Sequence, residues 1–475
     1  MNKPQDQDKW TFPVWALILF FAAITLAGCI RFEPKPLSPS NLAASLEERS
    51  LTNAELKTFI EANLGHDLAA WPPAAWNFEM LTLAAFYWHP SLDVARAQWL
   101  VARAGESTAE QRPNPTLNIT PGYNSTTSVP SPWLPLTYLD VPIETGGKRG
   151  HRRAQAARVS DAARLNVTTV AWQVRSTLRS HLVELDAADR REKLLEQQLA
   201  LQEQIVKALE QQAQAGAVSA SELFPMRIIL IRLRLDLSDA ERLRAEARAR
   251  VAEALGVSIR ALSNINLSFE PAGDERIAEL TLDKFRGAAM QSRSDILAAL
   301  AEYAAAQATL QLEIAKQYPD VHLQPGYQFD QGENKWSLGL LVELPILNQN
   351  KGPIAEAKAR REEAAARFRA LQAKVLAEID RAAEVLRVTE QTVGTLRSLA
   401  NAQAQRKESV AAQFEAGAIE HLEVLNAESE LIAAQLVQLD GQARFHQAIG
   451  AMEEALQLRF NLPTAIYEAS PRSAK

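Results

Sequence analysis

Cysteine is almost missing from this chain. Cys29 stands alone among 475 residues, which excludes an internal disulfide and any cysteine-based zinc site. A surplus of positive charge is missing too: the formal net charge is -6 with 23% charged residues, so no basic footprint calls for nucleic acid as a partner. The seven histidines form no HExxH and no close pair, and we read no metal ligand set and no cofactor from them. No nucleophile, base and orienting acid converge in any stretch, so no enzyme is expected. "GGKRG", Gly146 to Gly150, lacks the GxxxxGK[ST] spacing of a phosphate-cradling loop.

What is present is alanine, leucine, glutamine, glutamate and arginine, massed in long segments that read as long helices. At the start, Lys3 and Lys9 precede an apolar run from about Phe12 to Leu26, closed by Leu26, Ala27, Gly28 and Cys29. About fifteen apolar residues are too few for a comfortable membrane helix. The segment resembles a bacterial lipoprotein signal: residues 1–28 would be removed and Cys29 acylated. Each buried methylene adds about 0.8 kcal/mol, so several acyl chains anchor firmly. Ile30 stands where an aspartate commonly signals inner-membrane retention, which favours the outer membrane.

The rest is written twice. "PTLNITPGY" (Pro115 to Tyr123) returns as "PDVHLQPGY" (Pro319 to Tyr327), "VPIETGGKRG" (Val141 to Gly150) as "LPILNQNKGP" (Leu344 to Pro353), and "AGAVSASELF" (Ala215 to Phe224) as "AGAIEHLEVL" (Ala416 to Leu425). We expect an N-terminal segment over 29–80, a first repeat over 81–256, a linker over 257–281, a second repeat over 282–460 and a tail over 461–475.

Inside each repeat the period changes. Val321, Leu323, Pro325, Tyr327 and Phe329 alternate with His322, Gln324, Gly326, Gln328 and Asp330, a strand with one apolar and one polar face. Trp336, Leu338, Leu340, Val342, Leu344 and Ile346 alternate likewise, and Leu117, Ile119, Leu139, Val141 and Ile143 give the first repeat its own pair. About four strands result, each near the length that crosses a bilayer when tilted. A spanning sheet must close, because an open edge in hydrocarbon strands backbone groups at several kcal/mol each. Two chains give about eight strands and a plugged interior, while three give about twelve and a lumen, which suits the polar face. Hairpins on a soluble sandwich core are the rival reading.

The helices oppose that rival. Val170, Val174, Leu178, Leu182 and Leu185 recur at three- and four-residue spacing, with Arg175, Arg179 and Arg190 among the other positions, and Leu371, Val375, Ile379, Ala382 and Leu386 repeat the pattern. A 60-residue helix is about 90 Å long and must pack sideways on its like. Gly216 and Gly417 suit the turn-back of each.

With the strand exits and paired "AGA" turns in duplicate, the chain resembles the TolC-like outer-membrane efflux family over nearly all of its mature length. The resemblance implies a fold that is mainly α with membrane β: a long periplasmic α-helical barrel and a transmembrane β-barrel, four strands per chain, twelve in a homotrimer. It implies outer-membrane lipid around the barrel, a periplasmic adaptor (membrane fusion protein) and an inner-membrane pump of the resistance-nodulation-division (RND) type. Ala215, Gly216, Ala217, Ala416, Gly417 and Ala418 become adaptor-contact tips. A periplasmic gate falls on Glu423, with Glu420 before it and Asn426 where the family has an aspartate. Three carboxylates about 7 Å apart repel by about 0.6 kcal/mol per pair in water and about 2.4 at an effective dielectric near 20.

Pro142, Gly146, Gly147, Lys148, Arg149, Pro345, Lys351 and Gly352 mark the strand-to-helix exits. Here the prolines are expected to end the ladder, the glycines to redirect the chain, and Lys148, Arg149 and Lys351 to meet lipid phosphates. "GGKRG" followed by an alanine-rich helix most resembles the heavy-metal branch of cobalt, zinc and cadmium type. Drugs or a secreted polypeptide stay open as cargo, and a periplasmic adaptor or a structural coiled-coil lipoprotein are alternatives of another class.

Overall fold

The computed structural model describes residues 31–126, 128, 130–269, 282–457 and 464–467. Cys29 and the apolar leader lie outside them, as do residues 270–281 of the expected linker and most of the expected tail. The chain divides between Glu48 and Arg49 into two units. In the first, Pro39–Glu47 forms a short exposed helix, α1, with proline at its start where a missing N–H costs nothing.

The second unit opens with α2 (Ala54–Leu64), capped by the Asn53 side chain, α3 (Phe78–Trp88) and α4 (Pro90–Glu110). Two strands follow, β1 (Thr116–Thr120) and β2 (Leu136–Ile143), then the hairpin of α5 (Lys148–Gln214) and α6 (Ala220–Leu255). The second repeat runs α7 (Leu282–Ser292), α8 (Ser294–Ala315), β3 (Val321–Asp330), β4 (Glu333–Val342), α9 (Lys351–Glu415) and α10 (His421–Leu456). The long helices α5 and α9 hold 67 and 65 residues, about 100 Å each at 1.5 Å per residue.

Their cores are seams between helices. Leu178 and Leu182 of α5 pack with Leu56 and Ile60 of α2 and Leu81, Phe86 and Trp88 of α3, all essentially without solvent exposure. In the second repeat Val375, Ile379 and Ala382 of α9 meet Ile296, Met452 and Leu456. Near the tips, Leu201, Ile205 and Leu209 of α5 join Leu223 of α6 and Leu425 of α10 in one cluster. Fully burying a leucine or valine is worth about 1.5–3 kcal/mol.

Arg175 and Arg179, placed by periodicity outside the apolar stripe, are not solvent-facing. Their guanidinium groups reach Glu453 of α10 at 3.1 and 3.0 Å and lie over the Phe78 ring. The expected linker is also no loose connection where described. Trp76 exchanges backbone hydrogen bonds with Asn266 and Ser268, and Phe269 sits edge-on against Phe78.

The four strands form one antiparallel sheet in the order β1-β2-β3-β4, so β2 of the first repeat pairs with β3 of the second. A two-residue turn, Gln331 and Gly332 with φ of 52° and 90°, joins β3 to β4. Positive φ at both positions matches the right-handed twist of the strands.

β1 is shorter than expected, with 5 residues. Pro121 offers no N–H to the ladder. The hairpin nevertheless continues in the same register beyond it. Thr120 faces Leu136 and Tyr123 faces Trp133, with Leu134 N–H donating to the Gly122 carbonyl and Asn124 N–H to that of Pro132.

Candidate functional site

Residues facing each other across a ladder share a side of the sheet. The register therefore stacks Leu117 with Leu139, Val141 with Leu323 and Leu340, Ile143 with Val321 and Val342, and Pro325 with Leu338 on one side. Leu338 and Leu340 are each 69% exposed in the single chain, so this apolar side is left for something other than protein core. Asn118, Asp140, His322, Gln324, Gln328 and Lys335 occupy the other side. β3 and β4, 10 residues each, cover about 33 Å at 3.3 Å per residue, or about 25 Å when tilted near 40°. That is the height of an outer-membrane apolar band.

Aromatic pairs cap the sheet end far from the helices. Tyr327 and Trp336 have ring centroids 5.0 Å apart, and Tyr123 and Trp133 5.2 Å. At the helix end Tyr318 is 61% exposed. The sequence pattern places Tyr327 and Trp336 on the apolar face but does not disclose the girdle. The usable signal was Tyr and Trp recurring at matching ends of alternating runs.

The exits differ from expectation in three ways. Pro142 lies inside β2, opposite His322, and Ile143 still pairs with Val321. Backbone groups alternate sides along a strand. Leu134 N–H points to β1 and the Pro135 carbonyl accepts from Phe329, so even-numbered positions of β2 turn toward β1. The N–H that Pro142 lacks would face a space where β1, beginning at Thr116 opposite Asp140, has no residue. Pro345 does not end β4 either. The strand stops at Val342, opposite the first residue of β3, because its partner runs out, and Leu344 and Ile346 lie past it.

Lys148 is the third difference. It is buried, and its Nζ donates to Asp320 Oδ1 at 2.8 Å, so it clasps the two repeats together and does not face lipid phosphate. Asp320 also accepts from Thr145 N–H. Arg149 donates to the Glu110 carbonyl, Arg152 pairs with Glu144, and Lys351 is exposed. The hydrogen bond to Glu144 raises the Arg152 pKa further.

Redirection itself falls to residues with left-handed backbone. Gly146 and Gly147 have φ of 62° and 70°, and a Cβ on Gly146 would stand 3.0 Å from the Ala315 carbonyl oxygen. In the second repeat Asn350, φ 57°, takes the place of Gly147 before α9, and its side-chain amide donates to the Glu313 carbonyl and carboxylate. Gly352 is exposed in the first turn of α9 with open space around it. Burial pushes the Glu313 carboxyl up, yet hydrogen bonds from Lys316 and Asn350 outweigh it and hold the group below the usual range.

The two tips are near copies. Ala215 and Ala416 cap the long helices, Gly216 and Gly417 follow with φ of 76° and 71°, and the N–H groups of Ala217 and Ala418 donate to Gln212 and Gln413 carbonyls at 2.9 Å. Glu420 is the N-cap residue of α10, its carboxylate accepting from Gln212 across the tips at 3.2 Å. Glu423 in the first turn and Asn426 one turn on are both exposed. Glu222, the counterpart of Glu423, is also exposed and accepts from Ser219.

Residues 86–257 and again 286–456 match the family described as outer membrane efflux protein. The chain belongs to that family. It is thus an outer-membrane efflux channel protein, in a family of transport proteins. Among curated relatives, the cobalt-zinc-cadmium resistance protein CzcC of Cupriavidus metallidurans is 23% identical over 321 residues, covering 67% of this chain and 76% of CzcC. The Campylobacter jejuni CmeC outer membrane channel superposes with a TM-score of 0.67 at 14% identity, covering 94% of this chain and 99% of that one. CusC, solved in a study of folding and transmembrane channel formation, gives 0.63 at 18% identity over 82% of this chain and 95% of its own. These likenesses establish the efflux-channel fold, with long helical hairpins joined to a four-stranded β domain. Among the described residues no helix is long and apolar enough to cross a membrane, and no three His, Cys, Asp or Glu side chains converge as metal ligands.

Proposed function

We propose that three copies of this chain close a twelve-stranded barrel in the outer membrane and serve as the exit duct of a tripartite system exporting heavy-metal cations. The sheet carries the reading: it has an apolar exposed side, a polar side, and outer edges on β1 and β4 that have no strand partner among the described residues. Unpaired backbone groups cost several kcal/mol each in hydrocarbon, so the edges must meet those of other copies. Four strands in each of three copies make twelve, enough for a lumen behind the polar side. An exposed stripe on α6, Phe224, Ile228, Ile231 and Leu235, supports side-by-side packing of copies as well.

The tips, Ala215 to Ala217 and Ala416 to Ala418, face the periplasmic adaptor, through which an RND-type pump delivers cargo. Glu423, with Glu420 and Asn426, lines the gate. Acyl chains on Cys29 anchor each copy in the outer leaflet's partner layer, and Arg149 and Lys351 face lipid headgroups at the strand exits. Heavy-metal cargo is supported by the likeness to CzcC, a cobalt-zinc-cadmium resistance protein by name. The test is to purify the protein from outer membranes and measure oligomer size and conductance together. A heat-modifiable trimer with single-channel current is expected, and a non-conducting monomer would overturn the duct. For cargo, a deletion strain should lose resistance to cobalt, zinc or cadmium and keep its resistance to drugs.

A further inference from the structure

On the polar side of the sheet, His322 of β3 places Nδ1 3.0 Å from both carboxylate oxygens of Asp140 on β2. A carboxylate only accepts, so Nδ1 carries a proton, and in the neutral ring Nε2 is then the nitrogen with the lone pair. Among the described residues no hydrogen bond engages Nε2. Gln324 donates to Asp140 Oδ1 at 3.3 Å and steadies the carboxylate from the next polar-side position. This is the arrangement in which a carboxylate orients a histidine for metal ligation, fixing the tautomer and raising the basicity of the free nitrogen.

The imidazole also opens onto space. His322 and Asp320 line a cavity of about 920 Å3 walled by α4, the first turns of α5 and the end of β2. Asp320, in the same wall, has its Oδ1 taken by Lys148 and Thr145. Glu144 and Arg152, also in the wall, neutralise each other.

We propose that His322, oriented by Asp140 and sharing its cavity with Asp320, is a transient coordination point for a borderline divalent cation such as Zn2+ or Co2+ on the inner side of the barrel. The proposal rests on the metal-duct reading above and adds a site to it. A neutral imidazole selects Zn2+ and Co2+ over hard Mg2+, which prefers oxygen and water. The sparse ligand set fits transit. A cation held by three or four protein ligands would stay, whereas conduction needs a site favourable enough to enter and weak enough to leave. Water fills the remaining positions.

The test uses the full-length channel in planar lipid bilayers, with K+ carrying the current and Zn2+ or Mg2+ added to one side. Zn2+ should reduce the K+ current at concentrations where Mg2+ does not. His322→Gln should remove the difference between the two ions. Asp140→Asn, which removes the charge and the fixed tautomer but leaves the ring in place, should raise the half-blocking Zn2+ concentration about ten-fold, the lower end of the effect of losing an orienting partner. Should His322→Gln fail to give heat-modifiable trimers, Asp140→Asn and the comparison of ions on the unmodified channel still decide. Normal K+ current with equal response to Zn2+ and Mg2+, or Zn2+ block unchanged in the variants, overturns the coordination point and leaves the duct standing. Absence of any K+ current overturns the duct and the coordination point with it.

Discussion

Glu453 of the second repeat binds two arginines of the first, and removing its charge gives a worked test. Its carboxylate takes Arg179 at 3.0 Å through both oxygens and Arg175 at 3.1 Å, in a setting where the three side chains are 13%, 6% and 11% exposed. At an effective dielectric near 20, each contact is worth about 5.5 kcal/mol before desolvation, from 332/(εr) at 3 Å. Breaking a buried pair costs about 3–5 kcal/mol because charge stays behind without its compensation. Glu453→Gln keeps an acceptor, so the lower end, about 3 kcal/mol, is expected. The effect is read as a rate, since assembled channels lose structure irreversibly. If the clamp breaks before the unfolding barrier, loss of helical circular dichroism at fixed temperature should quicken about 150-fold. The triple variant Glu453→Gln, Arg175→Met, Arg179→Met leaves no charge in the clamp and should recover much of the loss. A single variant that unfolds within about two-fold of the parent, or a triple variant worse than the single one, refutes this account.

Gly256 ends α6 at φ 73°, and a Cβ there would meet the Trp88 carbonyl oxygen at 2.7 Å and His89 Cα at 2.9 Å. Left-handed strain and overpacking together make Gly256→Ala cost about 2–5 kcal/mol, measurable as a lower midpoint in thermal melts. Glu313, held below its ordinary 4.5 in the folded chain, contributes stability that is complete above that value and fades as pH falls through the folded one. Acid titration of helicity should therefore be flatter below that range in Glu313→Gln than in the parent. Glu423→Ala should weaken cation preference, read as a reversal potential nearer zero under a salt gradient; an unchanged potential removes Glu423 from the gate.

Periodicity reveals the sheet well because alternate residues of β3 and β4 must choose between lipid and water, and that choice is written in Leu323, Leu338 and Leu340 against Gln324 and Gly339. Glycine at 146 and 147, and the repeated Ala-Gly-Ala at the tips, announce a backbone that few other residues adopt. What escapes is whatever depends on a distant partner. Lys148 reads as a surface cation because Asp320 is 172 residues away, and Arg179 hides the same way behind Glu453. Asn350 conceals its glycine-like role because only its φ reveals it. His322 and Asp140 become neighbours through the β2–β3 register, which no local pattern encodes. The segment that buries Leu51, Leu56 and Ile60 in the first core carries too little periodicity to declare itself.

The β2–β3 ladder makes the internal duplication inseparable, since each half donates an inner strand to the other. A half expressed alone would hold two strands instead of four and would leave its inner strand, β2 or β3, without the neighbour it has in the whole chain. The two halves differ at their hairpins: the second reverses on Gln331 and Gly332 alone, whereas residues 121–135 stand between the two strands of the first.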